Sequence, residues 1–400
     1  MIKVAEGENT KKKSSRNKVK RNLLHRFVWT FLWVLAQPYM LIRYGFKTKH
    51  LNLKEPCLVV ANHLTEVDMI MVGCAFPHQM YIVGGEHITT RKSYPVLDFF
   101  FHPLTMYKGD ADTAAIKEII RYLRNGHSIM LFAEGSRSFN GETETLPDSI
   151  GKLCKSGKCG LVTYHIGGGY FREPRWAYTA RKGKLWGEIK SYLTAEEVSK
   201  MTPHEITEVI NRDIHENAYE VQRVEMNRYK GDRLAEGLEN YLVICPKCGE
   251  YNSLETSGDT FRCPHCGMSG KYNEYGFLEG EDLPFDSVYD WGKWVENKLA
   301  SDLEGKTPDE LLFTDSGIKF FEIAPDHERI TLPETEIHGY IDRLEIGYNK
   351  FEFSEMTGMD MLYYGKTLLF THQGRHYGVT GDSFHAVRYK WTYDKFLKSE

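Results

Sequence analysis

The sequence is poor in several features that would define its class directly. It has no apolar run of the roughly 20 residues that a membrane-spanning helix needs, and no internal repeat or low-complexity tract beyond a basic N-terminal tail. The net charge of −4 over 400 residues argues against a nucleic-acid-binding protein. No small-residue cleavage site follows the first apolar segment, so we do not expect a secretory signal peptide.

The eight cysteines do not have the arrangement of a disulfide-rich secreted protein. Four are scattered through apolar or mixed stretches, and four lie in one tight cluster. This pattern indicates a reducing compartment and hence exposure to the cytosol.

The basic charge is concentrated in the first 21 residues, which hold eight lysine or arginine residues against two glutamates. Residues 27–36 follow as an apolar helix rich in Trp and Phe, which Pro38 is expected to kink or end. This combination is typical of a helix lying in the interface of an anionic membrane. A buried core helix behind a disordered tail is the alternative, and a single membrane span is less favoured.

Short apolar strands alternate with helices in the first half of the chain. The predicted strands are residues 57–61, 81–83, 128–132 and 161–166, and the predicted helices are residues 66–76, 113–124 and the charged stretch 203–242. This alternation predicts an α/β fold with a mixed, largely parallel sheet flanked by helices. After about residue 305, short strands separated by turns predict a small antiparallel β-domain.

The candidate catalytic residues lie in Asn62-His63-Leu64-Thr65-Glu66-Val67-Asp68, which follows a predicted strand and opens a helix. On one continuous helix, His63 and Asp68 would point about 140° apart. They can meet only if His63 lies in the loop and Asp68 in the first helical turn. A neutral His63 could then accept a proton from an alcohol that attacks a thioester, while Asp68 fixes the imidazole tautomer.

A structural interpretation of this segment is also open. Thr65 and Asp68 have the spacing of a capping box, with Thr65 as the N-cap, and His63 could be a hydrogen-bonded core histidine. A second segment, Phe132–Ser138, favours catalysis because it also follows a strand. Within it, Gly135 permits close approach of a ligand, and an arginine two residues later offers a planar fork for phosphate or carboxylate.

Together the two segments resemble the N-H-x4-D and F-P-E-G-T-R-S motifs of the glycerolipid acyltransferases, typified by 1-acylglycerol-3-phosphate acyltransferases. The resemblance covers about residues 50–190. Ala133 replaces the proline of the second motif, and Ser136 replaces its threonine. Lys108 corresponds to the family's phosphate-binding arginine, and the block at 162–167 lacks the family's proline.

The resemblance implies acyl transfer from acyl-CoA or acyl carrier protein to 1-acylglycerol-3-phosphate, which makes phosphatidic acid. His63 would be the general base and Asp68 its orienting partner. The residues implied in acceptor binding are Asn62, Lys108, Glu134, Gly135, Ser136 and Arg137. Glycerol-3-phosphate or another lysolipid is an alternative acceptor. A membrane-bound interaction protein with a degenerate domain is the alternative from a different class.

The cysteine cluster consists of two C-x2-C pairs separated by 14 residues. Its members are Cys245, Cys248, Cys263 and Cys266. This spacing is typical of a structural zinc ribbon, in which four thiolates close a tetrahedral site and leave no open position for catalysis. A redox dithiol or an iron–sulfur site is the alternative, and His265 is not expected to be a ligand. A ribbon that binds nucleic acid together with the basic tail is not favoured, given the acidic balance.

We therefore expect four regions. They are a basic tail and membrane-interacting helix (1–48), an acyltransferase domain (49–240), a zinc ribbon (241–275) and a C-terminal β-domain (306–400) that weakly resembles the pleckstrin-homology-like kind. The expected partners are membrane lipids and the acyl donor, with no nucleic acid and no redox cofactor. The expected location is the cytoplasmic face of a membrane, peripheral or monotopic.

Overall fold

The first element of the chain is a long helix, α1, Gly7–Tyr44. The computed structural model describes residues 7–85, 94–106, 113–324, 329–333 and 335–399. Pro38 lies inside α1, so of the two predicted effects, a kink or an end, the end of the helix at this residue does not occur. Tertiary contacts offset the cost of the proline, because Gln37 Nε2 donates to the carbonyl of Cys74 at 2.9 Å and Trp33 Nε1 donates to the same oxygen at 3.0 Å. Among the described residues, none of the helices combines the length and the apolar character that a bilayer crossing requires.

The next region is the α/β domain. Its strands are β1 Cys57–Ala61, β2 Met80–Gly85, β3 Leu104–Met106, β4 Ser128–Phe132, β5 Gly160–Gly167 and β6 Trp186–Leu193. Its helices are α2 Asp68–Ala75, α3 Tyr94–Phe101, α4 Thr113–Arg124, α5 Ser149–Gly157, α6 Gly169–Arg172, α7 Ala195–Lys200, α8 Pro203–Ile214 and α9 Ala218–Glu225.

The six strands form one sheet in the order β3-β2-β4-β1-β5-β6. Every neighbouring pair is parallel except β5 and β6. All five residues of the central β1 are buried, as expected for a strand covered on both faces. The predicted mixed, largely parallel sheet flanked by helices is therefore confirmed.

The charged stretch 203–242, which was predicted to be helical, is helical in its first part, and the prediction is wrong for most of the residues after 225. The structure has two helices there, α8 and α9, followed by a single 3-10 turn at Leu238–Asn240. Asn217 starts α9, because its side chain accepts hydrogen bonds from two backbone N–H groups of that helix. Met226 ends α9 in a left-handed conformation, with φ of 48°.

A small antiparallel sheet carries the cysteine cluster. Its strands are β7 Glu255–Ser257, β8 Thr260–Arg262, β9 Ser269–Tyr272 and β10 Leu278–Glu279, in the order β10-β9-β8-β7. Helix α10, Val288–Asp302, follows. Its Trp291 donates to the carbonyl of Ile244 at 3.0 Å and contacts the ring of Phe261, which ties the small sheet to the helix.

The C-terminal region is an antiparallel sheet, as the sequence predicted, and a helix that the sequence analysis did not predict follows it. Its elements are β11 Phe313–Ile323, β12 Arg329–Thr331, β13 Thr335–Gly339, β14 Arg343–Ile346, β15 Asn349–Glu352, β16 Met356–Leu362, β17 Thr367–His372, β18 Arg375–Thr380 and α11 Ala386–Ser399. The strand order is β15-β14-β13-β11-β18-β17-β16, and β12 pairs with β11. The resemblance to pleckstrin-homology-like domains stays a prediction.

The predicted regions share a core. One cluster of buried apolar side chains runs from Trp29 of α1 through Val59 of β1 and Trp291 of α10 to Val387 of α11. The opposite face of the parallel sheet packs a second cluster, centred on Leu58, under α4, α5 and α8. The C-terminal β-domain is therefore fixed against the α/β domain by a continuous apolar contact.

Candidate active site

His63 and Asp68 meet where β1 ends. His63 lies in the loop after the strand, and Asp68 is the first residue of α2. The imidazole donates from Nδ1 to Asp68 Oδ2 at 3.0 Å. The ring stacks on Phe132 at the end of β4, with centroids 4.6 Å apart, and its side chain is 26% exposed. The structure thus has the loop-and-first-turn arrangement that the spacing required.

The Asp68 carboxylate is fully buried and accepts four hydrogen bonds. Besides His63, the donors are the backbone N–H of Leu64 (2.5 Å), the backbone N–H of Thr65 (2.8 Å) and the Thr65 hydroxyl (2.5 Å). The alternative of a capping box with Thr65 as the N-cap is wrong, because Val67 is the N-cap and the Thr65 hydroxyl accepts the N–H of Val67.

Glu134 joins the two motifs. Its carboxyl accepts the backbone N–H of His63 at 2.9 Å and that of Glu144 at 3.3 Å. The backbone N–H of Ser138 in turn donates to the His63 carbonyl at 3.4 Å. Burial raises the pKa of Glu134 to about 8, although the two N–H donors act in the opposite direction. Glu134 therefore carries little negative charge at neutral pH and fixes the backbone that holds the imidazole.

Arg137 is held between two carboxylates. Its Nη1 donates to Glu173 Oε1 at 2.7 Å, and its Nη2 lies 3.2 Å from Glu66 Oε1. Burial raises the pKa of Glu173, and the charge of Arg137 opposes this shift. Glu66 is the more exposed partner, so an anionic ligand could displace it while Glu173 keeps the guanidinium in place.

The segment around Gly135 is open on one side. Gly135 has a φ of 71°, and among the described residues no atom beyond its two chain neighbours lies within 4 Å of the place that a Cβ would occupy. Ser136, predicted to bind the acceptor, donates its hydroxyl to Asp360 Oδ2 at 2.6 Å. Asp360 belongs to β16 of the C-terminal β-domain, which the sequence did not connect with this site.

Two further residues, Asn62 and Lys108, were predicted to bind the acceptor. The amide of Asn62 is buried and bonds through both polar atoms to the backbone of Ile166, at 2.8 Å each. It joins the ends of β1 and β5 beside His63, and its contact with substrate stays a prediction. Lys108 lies outside the described residues.

Sequence reasoning missed four charged residues at this site: Glu66, Glu173, Arg175 and Asp360. Glu66 lies inside the first motif. Glu173 and Arg175 follow the glycine run after β5. Site residues often lie at the carboxyl ends of parallel strands, so the position of these two residues could have indicated them. Nothing in the local sequence marks Asp360.

The four clustered cysteines converge as their spacing predicted. Their sulfur atoms all lie within 4.8 Å of one another, at 3.7 Å for Cys245 and Cys266 and 3.8 Å for Cys248 and Cys263. A tetrahedron of thiolates around zinc, with Zn–S near 2.3 Å, has sulfur–sulfur edges of about 3.8 Å. These residues could therefore hold a metal ion.

A comparison with protein families agrees with the motifs. Residues 45–166, which contain both, match the family model described as Acyltransferase. The crystal structure of the 1-acyl-sn-glycerophosphate acyltransferase PlsC from Thermotoga maritima is similar at 18% sequence identity and a TM-score of 0.39. That similarity covers 49% of this chain and 80% of the other. Among curated proteins there is no match.

Replacing Glu134 with Gln should flatten the dependence of the unfolding free energy on pH between about 5 and 8. The pKa of this carboxyl is about 8 in the folded protein and ordinarily 4.5. The unfolded chain loses the proton at lower pH, so the wild-type protein loses stability as pH rises through this window. Urea unfolding at several pH values measures the slope.

The control is Glu196→Gln, which removes an exposed carboxylate from α7. Equal slopes for the wild type and Glu134→Gln would show that Glu134 does not bind a proton in the folded protein at these pH values.

Proposed function

We propose a function from the premise that residues 45–166 form an acyltransferase domain, the kind of domain that the glycerolipid acyltransferase motifs predicted. The domain transfers an acyl group from acyl-CoA or acyl carrier protein to the free hydroxyl of 1-acylglycerol-3-phosphate, and the product is phosphatidic acid. The observation that carries this proposal is the hydrogen bond from His63 Nδ1 to the buried Asp68 carboxylate.

The dyad can activate an alcohol without a serine nucleophile. Because Nδ1 donates to Asp68, the neutral ring has its lone pair on Nε2. Nε2 takes the proton of the acceptor hydroxyl as that oxygen attacks the thioester carbonyl carbon. The new C–O bond forms, the C–S bond breaks, and the imidazolium returns its proton to the leaving thiolate. Asp68 stabilises the imidazolium while it exists.

A phosphate on the acceptor fits the charges of the second motif. Arg137 offers a guanidinium whose exposed partner, Glu66, a phosphate could replace. The raised pKa of Glu134 removes much of a negative charge that would repel an anionic acceptor. Lys108 would add a second cation. Glycerol-3-phosphate and lysolipids other than 1-acylglycerol-3-phosphate also carry a phosphate. An assay that compares these acceptors is therefore needed to distinguish them.

Helix α1 presents an apolar stripe that suits a membrane surface. Its exposed members include Leu23, Phe27, Phe31, Val34 and Ile42, and α3 adds Val96 and Phe99 beside it. Phe27 is 70% and Ile42 is 85% exposed. The opposite face packs on α2, where Trp29 donates to the carbonyl of Phe76 at 3.1 Å. We propose that α1 lies in the interface at the cytoplasmic face of a membrane, where the lipid acceptor would be found.

For the four cysteines we propose a structural zinc ion. Gly249 and Gly267 follow the two pairs with φ of 76° and 74°, and their N–H groups donate back to Cys245 and Cys263. These turns present the sulfur atoms at tetrahedral spacing. Zinc would hold the small sheet together and has no open position for chemistry in such a site.

His63→Ala should lower kcat/KM for acyl transfer by at least about 100-fold, because the acceptor hydroxyl loses its general base. The assay compares 1-acylglycerol-3-phosphate, glycerol-3-phosphate and other lysolipids, each with acyl-CoA and acyl carrier protein donors. The control is His204→Ala, which removes an exposed histidine of α8. Near wild-type turnover by a folded His63→Ala protein would refute the mechanism.

The double substitution Phe27→Glu and Phe31→Glu should weaken binding to vesicles that contain anionic phospholipid by about 10-fold or more, because it places charge on the apolar stripe. Co-sedimentation measures the bound fraction. Val224→Glu is the matched control, since Val224 is exposed on α9, away from the stripe. Unchanged binding by the double variant would exclude this face as the membrane contact.

Elemental analysis should find one zinc per chain, and Cys263→Ser should lose it. Cys74→Ala, which removes a thiol outside the cluster, should retain the metal. Iron in place of zinc, or full zinc content in Cys263→Ser, would contradict the structural zinc site.

A further inference from the structure

The C-terminal β-domain contacts the second motif directly. The Ser136 hydroxyl donates to Asp360, which is 224 residues away in the chain. Asp360 is on β16, at the edge of the antiparallel sheet, and its side chain is mostly buried. A carboxylate in this place has to be compensated, since burial of an unpaired charge is strongly unfavourable.

Arg175 supplies the compensation and bonds to both domains. Its Nη1 donates to the carbonyl of Arg137 at 3.0 Å, and its Nη2 donates to the carbonyl of Met361. The same Nη2 lies 3.5 Å from Asp360 Oδ1 and 3.5 Å from Ser136 Oγ. One buried guanidinium therefore connects two residues of the second motif with two of β16.

Aromatic rings form a second connection between the segment of the second motif and the C-terminal region. The Arg175 guanidinium lies over Phe139, 4.3 Å from the ring centroid. Phe139 stacks on Tyr241 with centroids 5.4 Å apart, and Tyr241 meets Trp391 of α11 edge to face at 5.6 Å. The chain just after the second motif thus rests on the C-terminal region through three rings.

The second motif needs such support. Gly135 is in the left-handed region, and no described residue beyond its chain neighbours packs against its Cβ position, so packing at this position does not fix the backbone. Acceptor binding requires Ser136 and Arg137 in one position. The contacts to Asp360 and Arg175 hold both residues, and an ordered segment binds with a smaller loss of conformational entropy.

We propose that Asp360 and Arg175 are positioning residues through which the C-terminal β-domain sets the affinity for the acceptor. This inference rests on the proposed function of the second motif. Neither residue needs to touch the reacting atoms, because both act through Ser136 and the backbone of Arg137. The β-domain is then part of the acyltransferase site, in addition to any separate role it has.

The test is Asp360→Asn in the full chain, which keeps the shape of the side chain and removes its charge. The KM for the acceptor should rise about 10-fold, because one charge-assisted hydrogen bond is weakened, while kcat and the KM for the acyl donor stay nearly unchanged. Glu322→Gln is the matched control, since it breaks an ion pair on the same sheet between Glu322 of β11 and Arg375 of β18, and β17 separates β18 from β16.

Ser136→Ala removes the same bond from the acyltransferase side and leaves the β-domain intact. It should raise the acceptor KM to a similar extent, and the double variant should be no worse than either single one. An unchanged or lowered acceptor KM in Asp360→Asn, or additive effects in the double variant, would overturn the proposal.

Amide hydrogen exchange separates this inference from the proposed function. Exchange at residues 134–138 should be faster in Asp360→Asn than in Glu322→Gln, whichever acceptor the protein uses. Equal exchange in the two variants would refute the positioning role. Failure of the wild-type protein to acylate any acceptor would instead refute the proposed function.

Discussion

The buried carboxylate of Asp68 is the constraint on which the site depends. It accepts hydrogen bonds from the His63 ring, two loop N–H groups and the Thr65 hydroxyl, and it also begins α2. Removal of this charge would free all four donors in a region with little water, at a cost of several kcal/mol. One side chain therefore sets the loop, the start of the helix and the tautomer of the imidazole together.

The parallel sheet brings this loop next to the other residues of the site. Because β1 and β4 are neighbours and run in the same direction, the loops after them leave the sheet at the same edge. Glu134 uses this proximity, since its carboxyl accepts the N–H of His63 from the adjacent loop. On the other side of β1, the Asn62 side chain donates to the carbonyl of Ile166 in β5. The geometry of the dyad is thus fixed by three adjacent strands.

Charge at the second motif is balanced across domains. Arg137 and Arg175 face Glu66, Glu173 and Asp360, while the raised pKa of Glu134 limits the excess of negative charge. An anionic acceptor would enter this network by displacing an exposed carboxylate. The buried partners keep the guanidinium groups in position, which is the condition for selective binding of an anionic group by a planar guanidinium.

The sequence by itself determined the α/β order, the dyad and the cysteine cluster, because each depends on local periodicity or on the chemistry of closely spaced residues. Helix ends were less predictable: α1 passes through Pro38 because α2 binds it. Only the tertiary structure decided the partners of Arg137 and the contact of Ser136 with Asp360. Such contacts join residues far apart in the chain, and no local pattern encodes which charged side chains meet when separate domains pack on one core.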